Sequence, residues 1–186
     1  MTELSTAKPS IAKHSSAKPS TSTPTAQPSR PLAVNPGLPS TLLLPSLGVS
    51  APVSNIGLDS SLTLVPPSDY TTVGLWAQGA EPGARSGTAI ITGHTVHTGG
   101  GALDNLEQMR PGEQIVVERP RRDLLYTVET VRIYSKGTLA EDAAQVFAQD
   151  GPGRLAVVTC EDWDGTTYLS NVVVIATNPR ALATRS

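Results

Sequence analysis

Hydrophobic and polar positions alternate in short runs along most of this chain, which is the pattern of β-strands. Within residues 125–133, Leu125 and Val131 would share one face of a strand and Tyr126 the opposite face. Eight strands are predicted, at 42–44, 47–53, 62–65, 88–92, 114–118, 124–134, 155–159 and 171–177. Strands of this number and length predict an all-β domain, built as a closed or nearly closed eight-stranded β-barrel.

Two windows follow helical spacing instead. Residues 102–109 place Leu103, Leu106 and Met109 three positions apart, and residues 141–149 collect apolar side chains on one side of a helix. Helices this short depend on packing against a larger body for their stability. We therefore expect one or two short helices that cap the barrel.

The first forty residues have a different texture. A unit that begins Ala-Lys occurs every five residues from Ala7 to Lys18, and Ser, Thr and Pro fill most other positions up to Ser40. Such a segment lacks the apolar surface needed to offset the entropy lost on ordering. The predicted organisation is a disordered linker at 1–40, a globular domain at 41–178 and a flexible C-terminal tail at 179–186.

Composition and charge remove some classes of partner. The chain has 14 Lys+Arg and 16 Asp+Glu, a net charge of -2, and no clustered basic face of the kind that binds nucleic acid. No apolar run approaches the roughly 18 residues of a membrane span. No basic-then-apolar signal peptide follows Met1. We expect a monomer that binds no nucleic acid.

Candidate chemistry is concentrated at two predicted strand ends. The only cysteine, Cys160, follows the apolar run 155–159, and one cysteine excludes an internal disulfide or a multi-cysteine metal site. His94 follows the run 88–92 in a glycine-rich loop that also holds His97. A thiol becomes a good nucleophile when an adjacent imidazolium lowers its pKa. A Cys–His pair is therefore one interpretation of these strand ends.

Plainer interpretations remain open from the residues alone. A lone cysteine after an apolar strand commonly packs as a small buried hydrophobe, and a loop histidine is commonly structural. His94 and His97 lie three residues apart, as some zinc ligands do, but no further Cys or HExxH motif completes a set of three or four ligands. We expect no metal and no organic cofactor.

A set of short motifs, in a fixed order, narrows these possibilities. They are Leu44-Pro45-Ser46-Leu47-Gly48-Val49, Pro66-Pro67, Val73-Gly74-Leu75-Trp76, Pro82-Gly83, Thr92-Gly93-His94, Pro111-Gly112-Glu113, Thr159-Cys160 and Asn171-Val172-Val173-Val174. From about residue 42 to 179 the chain resembles the sortases, which are cysteine transpeptidases of bacterial cell surfaces. It is most similar to their actinobacterial class E/F branch. The Thr-Gly-His and Thr-Cys motifs, both at strand ends, are the most specific part of the resemblance.

The resemblance implies a fold and a chemistry. It implies an eight-stranded sortase barrel in which Cys160 is the nucleophile and His94 the general acid/base. It implies donor proteins with a C-terminal sorting signal of the Leu-Pro-x-Thr-Gly kind, cleaved through a thioacyl intermediate. The acceptor would be an amine on a peptidoglycan precursor or a pilin, at the extracytoplasmic face of the membrane or in the cell wall. The family's usual N-terminal membrane anchor is not found in this chain.

One family residue is missing. Sortases carry an Arg near the start of the last strand, but residues 166–177 contain no Arg. Asn171 is the best-placed polar substitute and Ser170 the second. The alternative is that Arg85 or Arg154 reaches the site from elsewhere in the chain.

The loop that follows the cysteine is predicted to form a wall of the substrate groove. It offers an apolar surface at Trp163 and an acidic side chain at Glu161. Thr159 and Ser170 flank this loop and are predicted, with Trp163 and Glu161, to contact the substrate.

Three other functions stay in view. A sortase-fold protein could bind sorting signals with weak or no turnover, because the Arg is missing. An L,D-transpeptidase would be expected to show a Ser-His-Gly-Cys cluster, whereas Cys160 follows Val158-Thr159 and His94 lies far upstream. A non-enzymatic β-barrel binding module would favour aromatic platforms, and only 4% of the residues are aromatic.

Overall fold

A computed structural model describes residues 39–61 and 63–182, apart from the side chains of Lys136, Glu161 and Asp162. The linker predicted for residues 1–40 therefore lies almost entirely outside the described residues. So do the last four residues of the predicted C-terminal tail.

Eight strands close into a barrel, as predicted. Their order around the barrel is β1-β2-β3-β4-β7-β8-β6-β5. The strands are β1 Thr41–Leu44, β2 Val49–Ile56, β3 Val73–Trp76, β4 Thr88–Thr92, β5 Gln114–Glu118, β6 Leu124–Ser135, β7 Arg154–Trp163 and β8 Tyr168–Ala181. The pairs β2–β3 and β4–β7 are parallel, and all other neighbours are antiparallel. The all-β barrel predicted from the sequence is confirmed.

The prediction of a third strand at 62–65 is wrong. The run 62–65 contributes only an isolated bridge from Leu64 to Leu58, and the third strand is β3 instead. β3 is buried on both faces, so its side chains show no alternation that a sequence pattern could reveal. At the C-terminal end, β8 continues to Ala181 and so passes the predicted domain boundary at residue 178.

The single α-helix of the described residues, α1 Lys136–Val146, begins earlier than predicted. Ser135 caps it, because its hydroxyl accepts the backbone N–H of Thr138 at 3.3 Å. The other predicted helix, 102–109, is reduced to a 3-10 turn at Leu106–Gln108. Within the described part of the chain, no helix has the length and apolar character to cross a bilayer.

Arg154 ties the end of α1 to the barrel. Its guanidinium donates to the backbone carbonyls of Gln145 at 2.8 Å and Val146 at 2.9 Å, and to the hydroxyl of Thr88 at 3.0 Å. A cation at these carbonyls also complements the negative end of the helix dipole. The helix is thereby held against the outside of the barrel.

The sheet formed by β4, β7, β8 and β6 is buried on both sides. Leu155 and Val157 of β7 point into the barrel interior, whereas Ala156 and Val158 point outward. The outward residues, with Ile90 and Val173 of neighbouring strands, form an outer hydrophobic cluster. Hydrophobic side chains packed on this cluster include Leu139 and Val146 of α1, and also Tyr134 and Phe147. The alternation along β7 therefore defines an inner face and an outer face.

Candidate active site

Parallel pairing of β4 with β7 brings the two predicted strand ends together. Thr92 lies beside Val158, and the pairing continues for one more residue, since the Gly93 N–H donates to the Val158 carbonyl at 3.1 Å. Extended for two residues past the end of β4, the same register would set His94 beside Cys160. Adjacent strands are about 4.8 Å apart, so the thiol and imidazole belong to neighbouring chain segments.

Gly93 and Thr159 fix this alignment from the inner face. A Cβ on Gly93 would come within 2.9 Å of the side chains of Leu103 and Val73, so a larger residue would displace this part of the chain. The hydroxyl of Thr159 donates to the Gly93 carbonyl at 3.1 Å and lies 2.8 Å from the hydroxyl of Thr95. These bonds join Thr159, the residue before Cys160, to the residues on either side of His94.

Asn171 stands directly opposite Cys160 in the antiparallel β7–β8 pair. Its side-chain nitrogen donates to the Thr159 carbonyl at 3.3 Å and lies 3.9 Å from the Cys160 sulfur. Tyr134 of β6 stands opposite Asn171 in turn. Cys160, Asn171 and Tyr134 are thus paired across β7, β8 and β6, and the extended β4–β7 register adds His94. We call these four residues the reactive row.

The reactive row lies on the outer face of the barrel. Strand alternation places Cys160 on the same side as Val158, and Asn171 on the same side as Val173, both of which belong to the outer hydrophobic cluster. His94, Cys160 and Asn171 are half-buried, unlike the almost fully buried residues of that cluster. The thiol, the imidazole and the amide are thus each partly accessible at the protein surface.

His94 is contacted from the segment between β2 and β3. Its Nε2 lies 2.7 Å from the carbonyl oxygen of Pro67. The ring of Tyr70 meets the imidazole edge to face, with centroids 4.9 Å apart and an angle of 77°. The imidazole is therefore held on one side by a backbone acceptor and an aromatic ring.

A second aromatic group lies next to the row. The ring of His97 stacks on Trp163 at 4.6 Å and 9°, and Tyr168 lies against Trp163 at 4.9 Å. The hydroxyl of Tyr168 accepts the backbone N–H of His97 at 2.9 Å and donates to the Thr95 carbonyl at 2.7 Å. We call His97, Trp163 and Tyr168 the aromatic cluster. It joins the histidine loop to the loop between β7 and β8.

Comparison with known proteins decides the family. The family model described as "Sortase domain" matches residues 42–178, which is more than half of the chain. The chain belongs to the sortase family. A comparison with curated proteins gives no match.

Solved sortase structures share the fold. Sortase E1 from Streptomyces coelicolor, with a tripeptide in the active site, is 24% identical with a TM-score of 0.58, and the match covers 78% of this chain and 90% of that chain. Sortase C-1 from Actinomyces oris is 22% identical with a TM-score of 0.57, covering 77% and 74%. Sortase C from Streptococcus pneumoniae is 17% identical with a TM-score of 0.61, covering 83% and 74%. These structures confirm a sortase barrel.

The four substrate contacts predicted for this sortase fall in different environments. Trp163 is 39% exposed, in the aromatic cluster. Thr159 and Ser170 are 1% and 4% exposed, and strand alternation turns both toward the barrel interior. A substrate contact by either side chain stays a prediction. Glu161 pairs with Ser170 in the β7–β8 ladder, and the prediction for its side chain lies outside what the structure describes.

The two alternative arginines are far from the reactive row. Arg154 begins β7, six residues before Cys160, which along a strand is about 20 Å. Its guanidinium binds the end of α1. Arg85 precedes β4 at the same end of the barrel, where its carbonyl accepts the N–H of Gly153 at 2.9 Å. This arrangement contradicts the alternative in which either guanidinium reaches the thiol.

Sequence reasoning missed Tyr134, Tyr168 and the contacts to His94. Tyr168 and His97 are 71 residues apart, so no local pattern relates them. Asp164 closes the loop between β7 and β8, because its carboxylate accepts the N–H groups of Thr166 and Thr167 at 2.8 Å each. These hydrogen bonds lower the pKa of Asp164 below its usual range.

In the described ranges, no group of three or more His, Cys, Asp or Glu side chains could hold a metal ion.

Proposed function

We propose that this sortase is a cysteine transpeptidase that cleaves a sorting signal of the Leu-Pro-x-Thr-Gly kind and transfers the donor protein to an amine. The reactive row supports this proposal: Cys160 pairs directly with Asn171, and the β4–β7 register, extended by two residues, sets His94 on its other side. A nucleophile, a proton carrier and a neutral donor on one open face match the requirements of acyl transfer.

In the first half of the reaction, the thiolate of Cys160 attacks the threonine carbonyl of the signal. A C–S bond forms and the carbonyl oxygen becomes an oxyanion. The imidazolium of His94 then protonates the glycine nitrogen, the C–N bond breaks, and the C-terminal fragment leaves as an amine. The product is a thioester between the donor protein and Cys160.

In the second half, the acceptor amine attacks the thioester carbonyl. Its nitrogen gives a proton to the neutral imidazole of His94, and the new amide forms as the C–S bond breaks. The thiolate and imidazolium are restored, and neither half involves oxidation or reduction. Water in place of the amine would give hydrolysis by the same steps.

Asn171 supplies a hydrogen bond to the oxyanion in this scheme. Its side-chain nitrogen already lies 3.9 Å from the sulfur, on the strand directly opposite. An amide carries two donor hydrogens but no charge, so it stabilises an anion less than a guanidinium does. We therefore expect turnover to be slow relative to a sortase that has Arg at this place.

The partners proposed are a donor protein with a C-terminal sorting signal and an amine of a peptidoglycan precursor or pilin. Two similar proteins support this class of ligand. Sortase E1 from Streptomyces coelicolor holds a tripeptide in its active site, and sortase C from Streptococcus pneumoniae is described with pilin substrate specificity. Sortases act at the cell surface, and we place the reaction there.

The experiment is intact-mass spectrometry of the protein incubated with a library of pentapeptide sorting signals. We expect an acyl adduct whose mass equals the peptide up to its threonine, on wild type and not on the Cys160→Ala variant. Adding an amine should discharge the adduct. Binding without any adduct would favour the second candidate, a sorting-signal binder with weak or no turnover, which the missing Arg also supports.

A further inference from the structure

The backbone of the segment between β2 and β3 determines which nitrogen of His94 carries a proton. The carbonyl of Pro67 is 2.7 Å from His94 Nε2. A carbonyl oxygen can only accept a hydrogen bond, so Nε2 must be the N–H donor. In neutral imidazole only one nitrogen is protonated, and Nδ1 is then the basic nitrogen. We call residues 67–72 the strap.

The strap is held in place by one carboxylate. Asp69 accepts the N–H of Thr71 at 2.9 Å, the hydroxyl of Thr71 at 2.8 Å and the hydroxyl of Thr72 at 3.0 Å. The Asp69 carbonyl also accepts the N–H of Thr72 at 3.1 Å. The first three bonds lower the pKa of Asp69, so its carboxylate remains charged at neutral pH. Pro67 adds a fixed φ angle at the start of the strap.

The strap is also fastened to the histidine loop. The carbonyl of Tyr70 accepts the N–H of Ala102 at 2.8 Å, and the Leu103 N–H donates to the carbonyl of His94 at 3.1 Å. The Tyr70 ring meets the imidazole edge to face at 77°. Rotation of the imidazole would break the bond to Pro67 and this ring contact together.

We propose that the strap is a positioning element that fixes the Nε2–H tautomer of His94 and assigns proton exchange to Nδ1. Its role in turnover rests on the proposed transpeptidation. In that reaction Nδ1 takes the thiol proton, gives it to the leaving glycine amine, and later receives one from the acceptor amine. The other proton stays on Nε2 throughout and is donated in a hydrogen bond to the Pro67 carbonyl, which supports the imidazolium.

The test reads the tautomer directly. Long-range ¹H–¹⁵N correlation spectra of ¹⁵N-labelled protein, at alkaline pH where imidazole is neutral, distinguish Nε2–H from Nδ1–H. Loss of one signal set in His94→Gln assigns His94 among the three histidines. We expect pure Nε2–H in wild type and a mixture of tautomers in Asp69→Ala and Tyr70→Ala. The same two variants should form the Cys160 acyl adduct about tenfold more slowly, a part of what general acid–base catalysis contributes.

The control is Asp59→Ala, elsewhere in the same connection. Asp59 makes a similar turn, accepting the N–H groups of Ser61 at 2.8 Å and Thr63 at 2.9 Å, but it lies outside the strap. In Asp59→Ala, the tautomer of His94 and the rate of Cys160 acylation should equal those of wild type. Nδ1–H in wild type, or an unchanged tautomer in both strap variants, would overturn the proposal. If no peptide acylates wild type while the spectra behave as expected, the proposed function fails and the tautomer assignment stands.

Discussion

The inner and outer faces of β7 and β8 differ in burial, although their residues are neighbours in the sequence. On the inner face, Val157 and Val172 are completely buried and Thr159 is 1% exposed. On the outer face, Cys160 and Asn171 lie just beyond the hydrophobic cluster that α1 helps to cover, and both are half-buried. Since alternate residues of one strand point to opposite sides, stability and chemistry are separated by a single position.

This separation explains why the cysteine need not be a core residue. Val158, two positions before Cys160, is 8% exposed and packs in the outer cluster. The cluster ends there, and the reactive row follows at the open surface. Substitutions on the inner face should therefore change the stability of the fold, and substitutions on the outer face should change activity.

The largest expected effect is on activity, from Cys160→Ala. The variant should form no acyl adduct, because the thioester cannot form, and its free energy of unfolding should stay near that of wild type. Leu155→Ala, on the inner face of the same strand, should lose about 2–5 kcal/mol of stability through a core cavity. Intact mass and urea unfolding measure the two effects. A loss of several kcal/mol from Cys160→Ala would instead assign the cysteine to the core.

Asn171→Ala should slow single-turnover acylation by about a hundredfold, since removal of one oxyanion donor often costs that much. Asn171→Asp is the matched control for shape, because it keeps the side-chain volume and removes the donor hydrogens. It should be at least as slow. Acylation of Asn171→Ala at the wild-type rate would show that the oxyanion is bound elsewhere.

The next largest effect is expected from Thr159→Val, which should lower the stability of the fold. It leaves the Gly93 carbonyl without the hydroxyl donor seen at 3.1 Å, and an unsatisfied buried group costs about 1–3 kcal/mol. Thr159→Ser keeps the hydroxyl and should retain most of that stability. Urea unfolding compares the two variants. Equal stability of wild type and Thr159→Val would mean that the bond does not hold the segments together.

Local alternation was enough to predict most of the barrel, whereas His94, Cys160 and Asn171 were chosen from their places at strand ends and from the resemblance to sortases. The apolar run before His94 gave β4 correctly, but β7 continues past Cys160 to Trp163, so the predicted loop 161–170 is shortened at both ends. Thr159 and Ser170 were predicted as substrate contacts because they are near the site in sequence. Their strand parity points them inward, whatever their distance from Cys160 along the chain.

The parts that could not be predicted depend on contacts distant in sequence or on irregular chain. β3 is buried on both faces, and a Cβ at Gly74 would come within 2.6 Å of Ile56, so its glycine reflects close packing that no pattern shows. The Pro67 carbonyl reaches His94 through an irregular segment, and the bond spans 27 residues. No periodicity relates such residues, so only the folded chain reveals them.

A smaller effect is expected from Trp163→Ala, on binding of the sorting peptide. The variant removes the part of Trp163 that is exposed, and an aromatic contact with the peptide would contribute about 0.5–1.5 kcal/mol, so the apparent KM should rise by about tenfold or less. Unfolding should change less than for Thr159→Val. Peptide titrations of wild type, Trp163→Ala and Trp163→Phe measure the change. An unchanged KM with lower stability would make Trp163 a structural plug and not a groove wall.

The smallest effect is local and depends on pH. The pKa of Asp164 lies below its ordinary 3.8, because the charged carboxylate accepts the backbone N–H groups of Thr167 and Thr166. A lowered folded-state pKa stabilises the folded loop above the ordinary value, and this stabilisation is lost as the pH falls through the lowered one. Amide exchange at Thr166 and Thr167, corrected for intrinsic rates, should therefore lose protection on acidification. Amides of the inner-face residue Val157 should keep theirs until the barrel unfolds. In Asp164→Ala the two loop amides should be unprotected at every pH. If the loop amides and the Val157 amide lost protection at the same pH, the loop between β7 and β8 would not respond to acid separately from the inner face.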